Sequence, residues 1–182
     1  MARSVLARLA LAAVLLLPFV LAHAAEGPCP APAGSETTQN TDLQALQEHT
    51  RSGPFYRELM RRFGKPLSCK FDSANGNLAL TYTFRSKAQL VAKTNPGIEY
   101  NEQRLEVSGM SGEKAKALLK AAEKEAYKPD ACGIAWDKPD SDGPGEAAGT
   151  REVIYRGDTC NCQARVIYRK KCVVTLILRS AC

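Results

Sequence analysis

The stretch LSCKFDSANGNLALTYTF, residues 67 to 84, sets Asn75-Gly76 between two segments of alternating apolar residues. A two-residue type I′ turn needs positive φ at both central positions, which Asn and Gly tolerate best, so the flanking residues are committed to an antiparallel hairpin. Counting outward from the turn sets Phe71 opposite Leu80, Cys69 opposite Tyr82 and Leu67 opposite Phe84, all on one face. Lys70, Thr81, Thr83 and Arg85 take the other face. A slip of one residue would turn the apolar set to water, so burial specifies this register and carries Cys69 inward.

The chain opens MARSVLARLALAAVLLLPFVLAHAAEG: Arg3 and Arg8, an apolar run from Leu9 to Leu21, then Ala22-His23-Ala24. Basic, apolar and small-x-small regions in that order form a secretory signal over residues 1–24, shorter than a comfortable membrane span. After its removal no stretch is apolar enough to cross a bilayer, and the protein is expected in the periplasm or outside the cell. All seven cysteines, at 29, 69, 132, 160, 162, 172 and 182, lie beyond the signal, where an oxidising compartment lets disulfides persist. Seven is odd, so at least one thiol is left over or pairs with another chain, and spacing does not decide the connectivity. The chain holds no Asn-x-Ser/Thr acceptor, which points to a bacterial periplasm more than to a eukaryotic secretory route.

Residues 25–40, AEGPCPAPAGSETTQN, have no apolar periodicity and read as a flexible arm; residues 41–182 read as a single disulfide-stabilised domain. A short helix capped by Thr41 or Asp42 carries Leu43 and Leu46 to Ser52-Gly53. A second helix has Pro54 in its first turn, Phe55, Tyr56, Leu59, Met60 and Phe63 on one face, and Gly64 and Pro66 beyond its end. Together they are expected to form a helical hairpin over a sheet. A third strand is expected from Ile98 to Val107, with a bulge or a bend between Tyr100 and Leu105 where the alternation breaks. Ala115, Leu118, Leu119, Ala122 and Ala126 stripe an amphipathic helix that stops before Pro129. Residues 137–150, rich in Asp, Gly and Pro, read as an acidic loop. Strands follow near 152–156, 160–168 and 172–179. On the last two, Ala164, Val166, Tyr168, Val174, Leu176 and Leu178 occupy even positions, and so do Cys160, Cys162, Cys172 and Cys182. Regular strands would turn all four sulfurs inward. The fold class expected is α+β: an antiparallel sheet of about five to six strands, an N-terminal helical hairpin and one further amphipathic helix.

Cys160 and Cys162 invite three readings. Structural zinc prefers knuckles of C-x2-C type, unlike the C-x-C-x9-C-x9-C spacing here. Strand neighbours two apart stand roughly 6.5 Å from each other, near the upper limit for a disulfide, so a Cys160–Cys162 bond would be strained and exchange-prone. The third reading, structural staples to different partners with Cys132 and Cys182 as candidates, is favoured in an exported chain. Cys69, Cys132, Cys160, Cys162, Cys172 and Cys182 are accordingly the expected disulfide set.

Other chemistries find few residues. Without the signal, His49 is the only histidine, which rules out two-His metal sites. CGIAW, Cys132 to Trp136, resembles the papain-type signature but has Ala135 in the nucleophile's place and no His after it. Ser111 and Lys114 match the Ser-x-x-Lys pattern of penicillin-interacting acyl enzymes, although Ser commonly caps helices and no Lys-Thr-Gly accompanies it. The acidic loop does not fit a calcium hand: with Asp140 and Asp142 as its third and fifth positions, Lys138 falls at the first and Gly149 at the twelfth. No catalytic residue, metal or cofactor is assigned. Charge is more informative, because residues 151–182 hold seven bases against Glu152 and Asp158. Arg165, Arg169, Lys170 and Lys171 are the candidate contacts to an anionic protein or envelope surface, and nucleic acid is not expected outside the cytoplasm. The function expected is an exported, non-enzymatic binding, inhibitor or adaptor protein. The alternatives are an envelope thiol-disulfide oxidoreductase using Cys160 and Cys162, and a serine hydrolase using Ser111 and Lys114.

Overall fold

The computed structural model describes residues 37–126 and 132–181. The signal segment, Cys29, most of the N-terminal arm and Cys182 lie outside them. In chain order the elements are α1 (Thr37–Ser52), α2 (Pro54–Phe63), β1 (Ser68–Ala74), β2 (Asn77–Thr83), β3 (Gln89–Asn95), β4 (Tyr100–Met110), α3 (Gly112–Ala126), β5 (Ser141–Pro144), β6 (Thr150–Arg156), β7 (Gln163–Arg169) and β8 (Cys172–Ala181). The strands form one antiparallel sheet in the order β1-β2-β3-β4-β8-β7-β6-β5. Two meanders therefore meet at the central β4–β8 pair, with α3 in the connection between them.

The expected five to six strands are corrected to eight, and both extra strands are ones whose residues give weak signals. β3 reads QLVAKTN, and Gln, Ala and Lys have low strand propensity. Its alternation suffices once β2 and β4 flank it: Leu90 and Ala92 point into the core while Lys93 faces out. β5 is the SDGP of the expected loop, held as an edge strand by pairing with β6. An edge this short, with a Gly and a Pro in it, offers little template for a further strand.

The β1–β2 hairpin has the expected register, with Phe71 opposite Leu80 and Cys69 opposite Tyr82, and Asn75 and Gly76 both take positive φ. Leu67 is the exception. It lies before β1 and is 65% exposed, while Phe84 is buried. Cys69 is half-buried on the edge strand. The bulge expected early in β4 falls later, because β4 pairs regularly with β3 throughout and its register against β8 shifts between Glu106 and Met110, where Gly109 has φ 76°.

The helical hairpin is also corrected. Only Gly53 separates α1 from α2, and an antiparallel return needs about two to five loop residues. Instead, α2 packs against both α1 and α3. Pro54 begins α2, and the Gly64 N–H closes it on the Met60 carbonyl at 3.0 Å. Phe55, Tyr56 and Leu59 are buried, and Tyr56 meets Tyr82 edge-on with ring centroids 5.0 Å apart. All three helices contribute to a single core with Leu80, Leu90, Leu105, Val166, Leu176 and Leu178 from one side of the sheet. The opposite side carries no helix among the described residues, and it presents rows such as Lys70-Thr81-Val91-Arg104-Ile177-Arg165 across successive strands.

At the far end of β4, the Tyr100 hydroxyl donates to Glu102 Oε2 at 2.8 Å. Burial, reinforced by that hydrogen bond and the negative charge of Glu102, pushes the phenol up to about 12 from an ordinary 10.0. The unfolded chain therefore releases this proton before the folded one does. Tyr100 contributes stability below about pH 10 that is lost progressively as pH rises towards 12. In an absorbance titration, the difference between the wild type and a Tyr100→Phe variant should be one phenolate that forms near pH 12.

Candidate functional site

The closing strands carry most of the candidate residues. β7 and β8 pair from Gln163↔Arg179 to Ile167↔Thr175 and then shift, so that Tyr168 faces Val173. Val174 is the extra residue. This bulge reverses the side-chain parity of the start of β8: Val173 enters the core, and Cys172 opposite Arg169 stays on the outer side. The expectation of four inward sulfurs is thereby corrected. Cys162 is buried and bonds to Cys132, with Cα atoms 5.8 Å apart. Cys160 is exposed, in a turn with positive φ, and is also disulfide-bonded, as is Cys69. Cys172 is a free, exposed thiol. Cys160 and Cys162 thus belong to separate bridges, because β7 begins only at Gln163 and the preceding turn points them apart.

The Cys132–Cys162 bridge holds a segment that sequence reading left unassigned. Cys132 and Ile134 are buried, and the Ala135 N–H donates to the Arg156 carbonyl at 3.3 Å, so the segment runs beside β6. Gly157 fits closely against it: a Cβ there would overlap the Cys132 carbonyl and lie 3.1 Å from Cys162 Cβ. Glu123 of α3 reaches the same segment. One carboxyl oxygen accepts from the Ile134 N–H at 3.2 Å and the other from Trp136 Nε1 at 2.8 Å. Glu123 is buried although it sits among the Lys and Glu of a solvated-looking helix face. Its only sequence signal is its place directly beside Ala122 on the apolar stripe.

Ser111 and Lys114 are both engaged at the start of α3. The Ser111 hydroxyl accepts from the Lys114 backbone N–H at 3.3 Å as a helix cap. The Lys114 ammonium lies 2.7 Å from Glu58, which Arg61 also binds at 3.0 Å. Burial of Glu58 opposes its ionisation, but the hydrogen bonds from Arg61 and Lys114 outweigh it and hold the carboxyl below its ordinary value. His49 is exposed, with Gln103 Nε2 3.5 Å from its ring. Among the described residues, no group of three or more His, Cys, Asp or Glu gathers as a metal site would need.

Charge is redistributed by folding. The acidic stretch and the start of the basic stretch, adjacent in sequence, become the paired strands β5 and β6. Asp140 binds Arg156 at 2.8 Å, and Asp142 takes two hydrogen bonds from Arg151, the Nε one at 2.6 Å. The Asp142 carboxyl is held below its ordinary value by that bonding. Arg165 donates from Nε to Glu152 at 2.5 Å, and its terminal nitrogen is 3.6 Å from Glu146. Arg165 is therefore partly neutralised within the sheet. Arg169, Lys170 and Lys171 are exposed around the β7–β8 turn, where Lys170 takes positive φ, and make no ion pair with the described residues.

Between that turn and the β5–β6 hairpin lies a cleft of about 250 Å³ on the helix-free side of the sheet. Ile167, Val174 and Ile177 supply its apolar part, Arg104, Arg165 and Arg169 its cations, and Glu146 and Glu152 its anions. Sequence reading missed Arg104, since its convergence with β7 depends on β4 and β8 being neighbours. No match to this chain was found among protein-family models, curated proteins or solved structures.

The molecule is thus a disulfide-bonded α+β protein. No helix of the described residues is long and apolar enough to cross a membrane.

Proposed function

We propose that this is an exported binding protein that engages an anionic partner through its β7–β8 turn. The observation that carries the reading is the fate of the basic residues. Arg151, Arg156 and Arg165 are matched internally by Asp142, Asp140, Glu152 and Glu146, whereas Arg169, Lys170 and Lys171 stand on an exposed turn without ion-pair partners among the described residues. Adjacent unmatched cations raise the local concentration of an oppositely charged surface and speed encounter with it. The disulfide-bonded sheet behind the turn supplies rigidity, so little conformational freedom is lost on binding. Export is supported by the signal-like leader and by disulfides, which persist in oxidising compartments.

The test is affinity capture from an envelope fraction under non-reducing conditions, with and without Arg169→Glu, Lys170→Glu and Lys171→Glu combined. Capture of a specific partner by the wild type should fall about tenfold or more in the variant and should weaken with added salt. A partner set unchanged by the triple substitution overturns the reading.

A further inference from the structure

We infer that the cleft between β4, β7, β8 and the β5–β6 hairpin binds a small aliphatic carboxylate. Three guanidiniums line it, and none has its hydrogen-bonding capacity filled. Arg165 spends Nε on Glu152 at 2.5 Å, while its other edge meets only Glu146 at 3.6 Å. Arg104 binds Glu106 at 2.9 Å, and its Nε is buried with no hydrogen-bond partner. Arg169 has no ion pair among the described residues. A planar guanidinium presents donors in a fork that suits a carboxylate, so an incoming acid completes what the chain leaves open.

Glu146 marks where that acid sits. Its side chain is 89% exposed and reaches Arg165 at the limit of an ion pair, so it is a weakly held carboxylate that a ligand can displace. The aliphatic part of the ligand has a place too. The β-bulge that keeps Cys172 outward also sets Val174 on this side, and together with Ile167 and Ile177 it forms an apolar floor under the cations. Charged rim and apolar floor select a molecule with one anionic end and a short hydrocarbon body. The inference goes beyond the partner reading and shares only Arg169 with it.

The experiment is titration of the full exported protein with hexanoate, hexanol and hexylamine, followed by amide NMR. Hexanoate should shift the amides of Ile167, Val174, Thr175 and Ile177 saturably, and hexanol and hexylamine should bind at least about tenfold more weakly. Arg104→Gln should weaken hexanoate about tenfold, and Glu146→Gln, by removing the internal competitor, should tighten it severalfold. Retained spectral dispersion in each variant shows that the fold is intact. Equal binding of hexanol, or an Arg104→Gln variant that binds like the wild type, would each overturn the inference. Loss of hexanoate binding with partner capture intact refutes the cleft alone. Capture that is unchanged by substituting Lys170 and Lys171, with hexanoate binding intact, refutes the partner reading alone.

Discussion

Replacing Glu123 with Ala should lower the unfolding free energy by about 3 kcal/mol, because the buried Ile134 N–H and the part-buried Trp136 Nε1 both lose their acceptor. The more discriminating variant is Glu123→Gln, which keeps size and shape. An amide has one oxygen and one NH2 group in place of two acceptors, so one donor would face another donor. Its expected cost is about 2 kcal/mol, whereas a residue that merely filled space would tolerate the change. Trp136 is the single tryptophan of the chain, so denaturant unfolding followed by its fluorescence reads both global stability and the local contact. Unchanged midpoints and unchanged emission in Glu123→Gln would show that the two hydrogen bonds do not hold the segment to α3.

The second large effect is expected from Cys132→Ala combined with Cys162→Ala. The bridge closes a loop of sequence separation 30, for which the chain-entropy relation gives about 3 to 4 kcal/mol. The loss should appear as a lower urea midpoint, and reduction of the wild type should move its midpoint the same way. Mass mapping of the oxidised protein should recover the Cys132–Cys162 peptide pair and a free Cys172 thiol. A double variant as stable as the wild type would mean that the bridge adds nothing to folding. Cys132 is two residues from Ile134 and four from Trp136, so the two perturbations act on one segment. Their combined cost should differ from the sum of the parts, since residues sharing a structural element couple. Such coupling would identify Cys132–Trp136 as one unit clamped twice, covalently on β7's side and by hydrogen bonds on α3's.

Several features of the fold were legible residue by residue. The β1–β2 register followed from Asn75-Gly76 and alternating burial, and α2 and α3 followed from their apolar stripes and stop signals. These rest on interactions within a few residues of each other, which a linear pattern records. The sequence expectations broke down where an element's stability comes from distant strands. β3 has poor local propensity and exists because β2 and β4 supply hydrogen bonds on both sides. SDGP is a strand because β6 lies alongside it. The inward placement of Cys172 failed for the same reason. A bulge is a mismatch between two strands, and nothing in β8 alone announces it.

Local pattern was enough for the mixture of helices and antiparallel strands, the hairpin around Asn75-Gly76, the apolar faces of the helices and the segregation of acids from bases along the chain, since each depends on near neighbours or on counting. Tertiary structure alone decided the eight-stranded order, the Cys132–Cys162 pairing, the burial of Glu123 and the gathering of Arg104 with Arg165 and Arg169. It also decided which cations remain unmatched, because bringing β5 and β6 beside β7 sets Asp140, Asp142, Glu146 and Glu152 against their own bases. Pairing between charges depends on separation in space, and that separation is set only when the strands have taken their places.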